Sequence, residues 1–582
     1  MAAWTWLRHG LRLPWLIGAA FLILHAATGD LYDLRLLTVT GSYALMVLGY
    51  QLVFGHAGAL SLAQGAFFGL GAYATGIFGA TLGWPFPATF AAAVALPALT
   101  AALVALPALR LQSHYFALAT LGLAQLALIL AVNWEGLTGG ANGLAGVPAV
   151  LPGLAGRESA LVLLAAVWMA VAVAVLICRA MTGGVRGMAY RLVREAPEAA
   201  AAAGIDAGAL RLWAFVVGAG LAGAGGAFQA HALRVVSPES IGFSVMVSCL
   251  MMAVIGGRTR IAGAILGALL LVHLPEWARA LQGHYLLVFG ALTLVTIIFA
   301  PDGLAGAGER LRARLLPERP LPPPPAAPPP SQRRPVADGA VLEAHGLTKN
   351  YGGVRAVDGV DIALRPGEIV GLIGANGSGK STLANLLTGH AQPDRGQVWT
   401  AGTEMTGRPA YRFAVTGIAR GFQTPLLSGG LSALDNVAAA GTGQRGRSAA
   451  VIRAMAGGAL DLVGEPARTE LAGTLPPAAR RRVEIARALM TAPAALVLDE
   501  PAAGMAPEEQ EALAALLRRL AEEGLALLVI EHRMDFLLPL AARLVCMDAG
   551  RIVAEGPPET VLRDAAALAA YLGGTRMPEA HR

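Results

Sequence analysis

The chain is 582 residues long, 55% hydrophobic and only 14% charged, with a mean hydropathy of +0.58. A soluble domain carries about 25% charged residues, so this composition excludes a wholly water-solvated protein. The net charge of +6 is almost entirely arginine, with Lys349 and Lys380 the only lysines. Many of those arginines lie between apolar runs, which argues against the concentrated basic face of a nucleic-acid binder. Cys178, Cys249 and Cys546 are too far apart for a metal site and form no disulfide framework; they read as small buried hydrophobes.

In chain order, Arg8 and Arg12 precede LPWLIGAAFLILHAA, which has the pattern of either a signal peptide or a first span. More apolar runs follow, so the segment reads as a retained span. A crossing helix needs about 20 mostly apolar residues. Qualifying runs centre near Ala20, Met46, Leu70, Val94, Leu123, Met169, Gly218, Met251, Leu269 and Leu292. They predict about ten crossings, with eight or nine the alternative because the short runs are ambiguous.

Arginine placement tests that count. With a cytoplasmic N-terminus, alternation puts Arg8, Arg12, Arg110, Arg179, Arg186, Arg191, Arg194, Arg211, Arg258, Arg260, Arg310, Arg312 and Arg314 inside. Arg35, Arg157, Arg234 and Arg279 fall outside. The bias is consistent, and an even count leaves the C-terminal half in the cytoplasm. Glycine-rich spans such as 65–76 and 218–227 suit close helix packing in lipid, though a few glycines can mark bends near a pathway. The outside loop 133–148, with Glu135, is either a plain connector or a contact for an external partner.

Between Pro317 and Pro335 the chain reads PERPLPPPPAAPPPSQRRP. This composition forms no packed core and extends at ~3.1 Å per residue, enough to span roughly 60 Å. It divides the chain into a transmembrane domain (1–310), a linker (311–339), a globular domain (340–575) and a tail (576–582).

The globular half opens its chemistry at EIVGLIGANGSGKSTLANLLTG. A strand-like run, Ile369–Ile373, leads into Gly374, Ala375, Asn376, Gly377, Ser378, Gly379, Lys380 and Ser381, and a helix-like run, Thr382–Leu387, follows. The glycines let backbone N–H groups converge on phosphate oxygens at a helix N-terminus. In this pattern Lys380 reaches the β- and γ-phosphates of ATP and the Ser381 hydroxyl ligates Mg²⁺. Gly374, Asn376, Gly377, Ser378, Gly379, Lys380, Ser381 and Thr382 are the expected nucleotide contacts.

Farther along, a buried-strand pattern ends in Asp499, expected to hold Mg²⁺, and Glu500, expected to polarise the attacking water. A second apolar run ends at His532, suited to the γ-phosphate. Gln423, between the two motifs, suits sensing of Mg²⁺ or the lytic water. Tyr351 either stacks on adenine or sits in the core.

Tyr351, Lys380, Gln423, Asp499–Glu500 and His532, in that order, resemble the ATPase domain of ABC transporters over roughly residues 340–575. The resemblance implies an α/β phosphate-loop core, an antiparallel β part and a helical subdomain near 425–490. The fold class is therefore multi-domain: an all-α polytopic membrane domain joined to an α/β P-loop ABC ATPase. One departure stands out. Where the family carries Leu-Ser-Gly-Gly-Gln, this chain has Leu475-Pro-Pro-Ala-Ala479, and Ala506 replaces a polar residue of the dimer contact. In the family each ATP lies between one domain's phosphate loop and another's signature. The resemblance thus implies a second ABC ATPase subunit with an intact signature.

The apolar half, over roughly 36–304, resembles permeases of the branched-chain amino acid uptake family, in GYQLVFGHAGALSLAQGAFFGLGAYATG and in SPESIGF followed by AVIGGRTRIAGAILGALLL. The loop 183–211 carries Glu198-Ala-Ala-x-x-x-Gly204, similar to the motif with which importer permeases dock on their ATPase; a plain amphipathic connector is the alternative. The ATPase half resembles that family's ATP-binding subunit in DEPAAG and AYLGG. The resemblance implies ATP-driven import across the cytoplasmic (inner) membrane, with a second permease subunit and an external solute-binding protein as partners. Branched-chain amino acids lead as cargo, against urea, short amides or small carboxylates. An exporter, which often shares this permease-then-ATPase layout, is disfavoured by the short connections and the docking motif; a nucleotide-binding regulatory subunit with weak hydrolysis, which the altered signature favours, is disfavoured by intact Glu500 and His532.

Overall fold

The computed structural model describes residues 23–24, 27–108, 113–277, 285–315, 327, 339–443 and 447–572. The first apolar run around Ala20, Arg8, Arg12, Arg110, Arg279, all of the proline tract except Ala327, the terminal AYLGG and the tail 576–582 lie outside the described residues or have undescribed side chains. The chain divides into two compact units: Met1–Thr182 with Gly208–Pro320, and Gly183–Ala207 with Leu321–Arg582.

The first unit is helical, and every predicted span centre from Met46 onward lies within an apolar helix. Leu31–His56, Phe86–Ala105, His114–Asn133, Gly156–Thr182 and Ala207–Leu233 are each long and apolar enough to cross a membrane. A sixth span arises if Gly290–Phe299 and Gly303–Arg312, bent by 42°, count as one. Phe243–Gly256 has 14 residues and Ile261–Trp277 has 17. At 1.5 Å per residue, helices of that length fall short of a hydrocarbon core about 30 Å thick. Five or six full spans among the described residues therefore stand beside about ten apolar runs.

Glycine explains how these helices meet. A methyl group at Gly49 would run into the Gly218 carbonyl oxygen, and one at Gly218 into that of Gly49. Gln64, fully buried, donates its Nε2 to Gly218 O at 2.9 Å and Met46 O at 3.3 Å, tying the same crossing with polar bonds. The loop 133–148 is folded: a helical turn Glu135–Thr138, a 3-10 turn Gly140–Asn142, and strand β1 (Leu144–Ala145), which pairs antiparallel with β2 (Val235–Val236).

The second unit contains two sheets. Strands β3 (Leu342–Tyr351), β4 (Val354–Leu364), β6 (Arg395–Thr400) and β7 (Thr403–Glu404) form an antiparallel sheet ordered β4-β3-β6-β7. Strands β5 (Ile369–Ile373), β8 (Ile418–Gly421), β9 (Ala495–Asp499), β10 (Ala526–Ile530), β11 (Arg543–Asp548) and β12 (Arg551–Gly556) form a second, ordered β12-β11-β5-β10-β9-β8. All its pairings are parallel except β11 with β12. Strands β5, β8, β9 and β10 are buried along their whole length, as expected for parallel strands covered on both faces. Helices Ala433–Ala439, Ala449–Leu462 and Pro477–Leu489 form a helical part between β8 and β9.

Residues 183–207 fold with this unit. They make helices Gly184–Glu195 and Pro197–Ala202, which pack on Ala433–Ala439 and Ala410–Thr416. Ala199 and Ala200 are fully buried, and Gly204 follows the short helix at φ +76°.

Candidate active site

In an open parallel sheet, ligands bind beyond the carboxyl ends of the strands. Four neighbouring strands here each end in a predicted site residue: β5 runs into the phosphate loop, β8 into Gln423, β9 into Asp499 and Glu500, and β10 into His532. The sheet order brings residues more than 100 positions apart in sequence into one crevice.

After β5 the backbone turns sharply, with Gly374, Gly377 and Gly379 at φ +147°, +83° and +102°. A methyl group at Gly374 would strike the Met547 carbonyl and one at Gly379 that of Ala356, so neither position admits a side chain. The loop opens into helix Lys380–Leu387, two residues earlier than the sequence pattern suggests. Asn376, Gly377 and Ser381 are exposed, Thr382 is half-buried and Ser378 is buried. Lys380 is buried and its Nζ donates to Gly374 O at 2.9 Å and Ala375 O at 2.8 Å. Burial holds its pKa below the usual lysine range, against the raising influence of Asp499 and Glu500.

Asp499 is 5% exposed, and burial pushes its carboxyl above the ordinary range while Arg420 opposes the shift. The nearby Ser381 hydroxyl also opposes the shift. A carboxylate and a hydroxyl side by side are hard oxygen donors, a set that fits Mg²⁺. Glu500 is held on both sides: Gln423 Nε2 donates to Oε2 at 2.8 Å, and His532 Nε2 lies 3.1 Å from Oε1. Its backbone sits at φ +45°, a conformation costly for a non-glycine residue, and its N–H donates to Ile530 O at 2.9 Å. Tyr351 lies at the end of β3 with its ring half exposed, which removes the core alternative, and Lys349 Nζ stands 5.6 Å from the ring centroid.

Three residues that sequence reasoning passed over brace this crevice. Arg481, 3% exposed, donates to Phe422 O at 2.5 Å and Gln423 O at 2.7 Å and pairs with Glu484 at 2.7 Å. Glu484 accepts in turn from Phe422 N at 3.2 Å. Glu531, 2% exposed, accepts from Ala502 N at 2.8 Å and His532 N at 3.2 Å, tying the turns that carry Glu500 and His532. The one available signal was position, directly before His532 and within an arginine-rich helix. Arg481→Met should destabilise the unit by about 3–5 kcal/mol by leaving Glu484 buried and short of a partner. A melting curve unmoved from wild type would refute that.

Helix Pro477–Leu489 begins with N-cap Pro476 and has Pro477 in its first turn. A helix N-terminus ordinarily presents four free N–H groups. Proline removes two of them, and Ala478 and Ala479 are buried. A cavity of about 370 Å³ adjoins this end, lined by Gln423, Pro477, Arg481, Glu500 and Met505.

Residues 33–301 match the model of the branched-chain amino acid transport system permease component, and residues 357–503 match the ABC transporter model. The high-affinity branched-chain amino acid transport ATP-binding protein BraF of Pseudomonas aeruginosa is 35% identical over 249 residues, 40% of this chain and 98% of that protein. The chain belongs to the branched-chain amino acid ABC transporter family. LivG of Escherichia coli, with the same description, is 34% identical over 252 residues, 40% of this chain and 98% of that protein. A crystal structure of a nucleotide-free ATP-binding cassette from an ABC transporter is 32% identical, covering 40% of this chain and 100% of that chain at a TM-score of 0.37. The chain is thus a family permease component fused to an ABC ATPase domain, which binds ATP.

Proposed function

We propose that this chain is the fused permease and ATP-hydrolysing subunit of an importer that carries branched-chain amino acids across the cytoplasmic membrane. The observation that carries the reading is Glu500, held between Gln423 and His532 beside Asp499 and the phosphate loop. Lys380 grips the β- and γ-phosphates, the loop N–H groups cradle them, and Tyr351 stacks on adenine. Ser381 and Asp499, with Gln423, would hold Mg²⁺, which would supply neutralisation of phosphate charge. Glu500 orients and deprotonates the attacking water, and His532 fixes the Glu500 carboxylate and faces the γ-phosphate. The cargo follows from the names of BraF and LivG. Uptake of labelled leucine into cells, competed with valine, urea and acetamide, tests it: competition by urea but not valine would overturn the substrate.

Coupling runs through residues 183–207. Ser428 Oγ donates to Glu195 Oε2 at 2.5 Å, close to the loop that leads from Gln423. Burial alone would raise the Glu195 carboxyl, but bonds from Ser428 and Arg194 hold it below the usual range. A hydrogen bond to a charged group contributes about 1.5–3 kcal/mol, so Glu195→Ala should cut uptake about tenfold or more while basal ATPase persists. Unchanged leucine transport per ATP in proteoliposomes would count against this contact as the coupling point.

A further inference from the structure

The first unit contains a cavity of about 220 Å³ at one end of helices Leu31–Tyr50, Gly156–Thr182 and Ala207–Leu233. A single water needs roughly 10–15 Å³ by the same kind of measure, so the space suits an organic solute. Its polar lining comes from Arg35, Thr38, Ser159, His231 and Arg234, and Leu163 contributes to an apolar wall. Arg35 and Arg234 are two of the few arginines that alternation assigns to the outer side.

These groups are short of partners. Among the described residues no acid pairs with Arg35 or Arg234. The nearby Asp30 and Asp33 are used in capping each other's backbone N–H, at 2.9 and 3.3 Å. Arg234 NH1 has one neutral contact, Val147 O at 3.3 Å. His231 is 4% exposed; its Nδ1 meets Pro148 O at 2.9 Å, and its Nε2 is buried with no hydrogen-bond partner among the described residues. Thr38 donates to Leu34 O at 2.8 Å, leaving its oxygen free to accept.

The placement of Arg234 is itself constrained. It lies at φ +61°, where a non-glycine residue is strained, and its carbonyl accepts from Gly146 N at 3.1 Å and Val147 N at 3.3 Å. The β1–β2 pairing next to it pins the same turn. Two guanidinium groups at one cavity repel one another until an anion enters. Arginine forks match planar oxyanions.

We infer that this cavity is a binding site for the carboxylate of a small solute with an apolar side chain. The inference rests on the import reading for the identity of that solute, but the site stands on its own geometry. The carboxylate sits between Arg35 and Arg234, and the hydrocarbon faces Leu163. A phospholipid phosphate is the other source of such an oxyanion.

The test is equilibrium binding to the full chain in neutral phosphatidylcholine nanodiscs, with L-leucine, 4-methylpentanoate and leucinamide as probes. Leucine and 4-methylpentanoate should bind and leucinamide should bind about tenfold more weakly or worse. Arg35→Gln and Arg234→Gln should each weaken carboxylate binding about tenfold and leave Mg-ATP binding unchanged; both side chains are on the surface, so the variants fold. Equal affinity for leucinamide, or wild-type leucine affinity in both variants, overturns the site. Native mass spectrometry that finds phosphatidylglycerol lost from the variants, with leucine binding intact, also overturns it in favour of lipid. Carboxylate binding that needs both arginines in a chain that imports no amino acid would leave the site standing and sink the import reading. Leucine uptake that persists in both variants would do the reverse.

Discussion

Glu500→Gln should lower ATP turnover by about 10²- to 10⁴-fold, the usual worth of a positioned general base, while Mg-ATP still binds. The amide keeps the shape of the side chain and a bond to Gln423, so the loss isolates the charge and the basic oxygen. Because Gln423 and His532 both hold this carboxylate, Gln423→Ala and His532→Ala should each lose less than Glu500→Gln, and pairing either with it should add little. Single-turnover hydrolysis by the purified complex measures the chemical step. A Glu500→Gln protein within a few fold of wild type would mean that the base lies elsewhere. Unchanged uptake in that variant would favour the regulatory reading.

The second large effect concerns the start of helix Pro477–Leu489. A transition-state donor in an enzyme site is worth about 10²–10³ in kcat, and here two prolines have removed N–H groups from the end that a partner's γ-phosphate would face. Purified alone, the chain should therefore hydrolyse ATP slowly. Assembled with an ABC ATPase that supplies Leu-Ser-Gly-Gly-Gln, its own phosphate loop gains the missing donors, and turnover should rise by about 10²-fold. Changing Pro476→Ser, Pro477→Gly, Ala478→Gly and Ala479→Gln in this chain should recover part of that rise without a partner. Full activity of the unmodified chain alone would defeat the asymmetric arrangement.

Much of this site was legible in the residues because the chemistry allows few alternatives. A phosphate loop needs glycine where φ is positive and where a neighbouring carbonyl leaves no space for Cβ, as at Gly374 and Gly379. Asp499 and Glu500 stand out as adjacent carboxylates at the end of an apolar strand. Arg481, Glu484 and Glu531 were not legible, because in one dimension a charged residue in an arginine-rich helix or before a histidine reads as surface. Only burial to a few per cent exposure distinguishes them. The apolar half shows the same divide. Hydrophobicity located the helices, but length against bilayer thickness decided which of them are long enough to span alone.

By itself the sequence determined the two-part plan, the candidate nucleotide-binding residues and the loss of the signature donors, since each follows from residue type and local spacing. Tertiary structure decided what those residues do to each other. The order of parallel strands sets Gln423 and His532 on either side of Glu500, and three helix ends gather Arg35, His231 and Arg234 around one cavity. The physical reason is that propensity and hydrogen-bond patterns act between near neighbours. Contacts across 77 positions, such as Gln423 with Glu500, are fixed by how buried strands and glycine-faced helices pack.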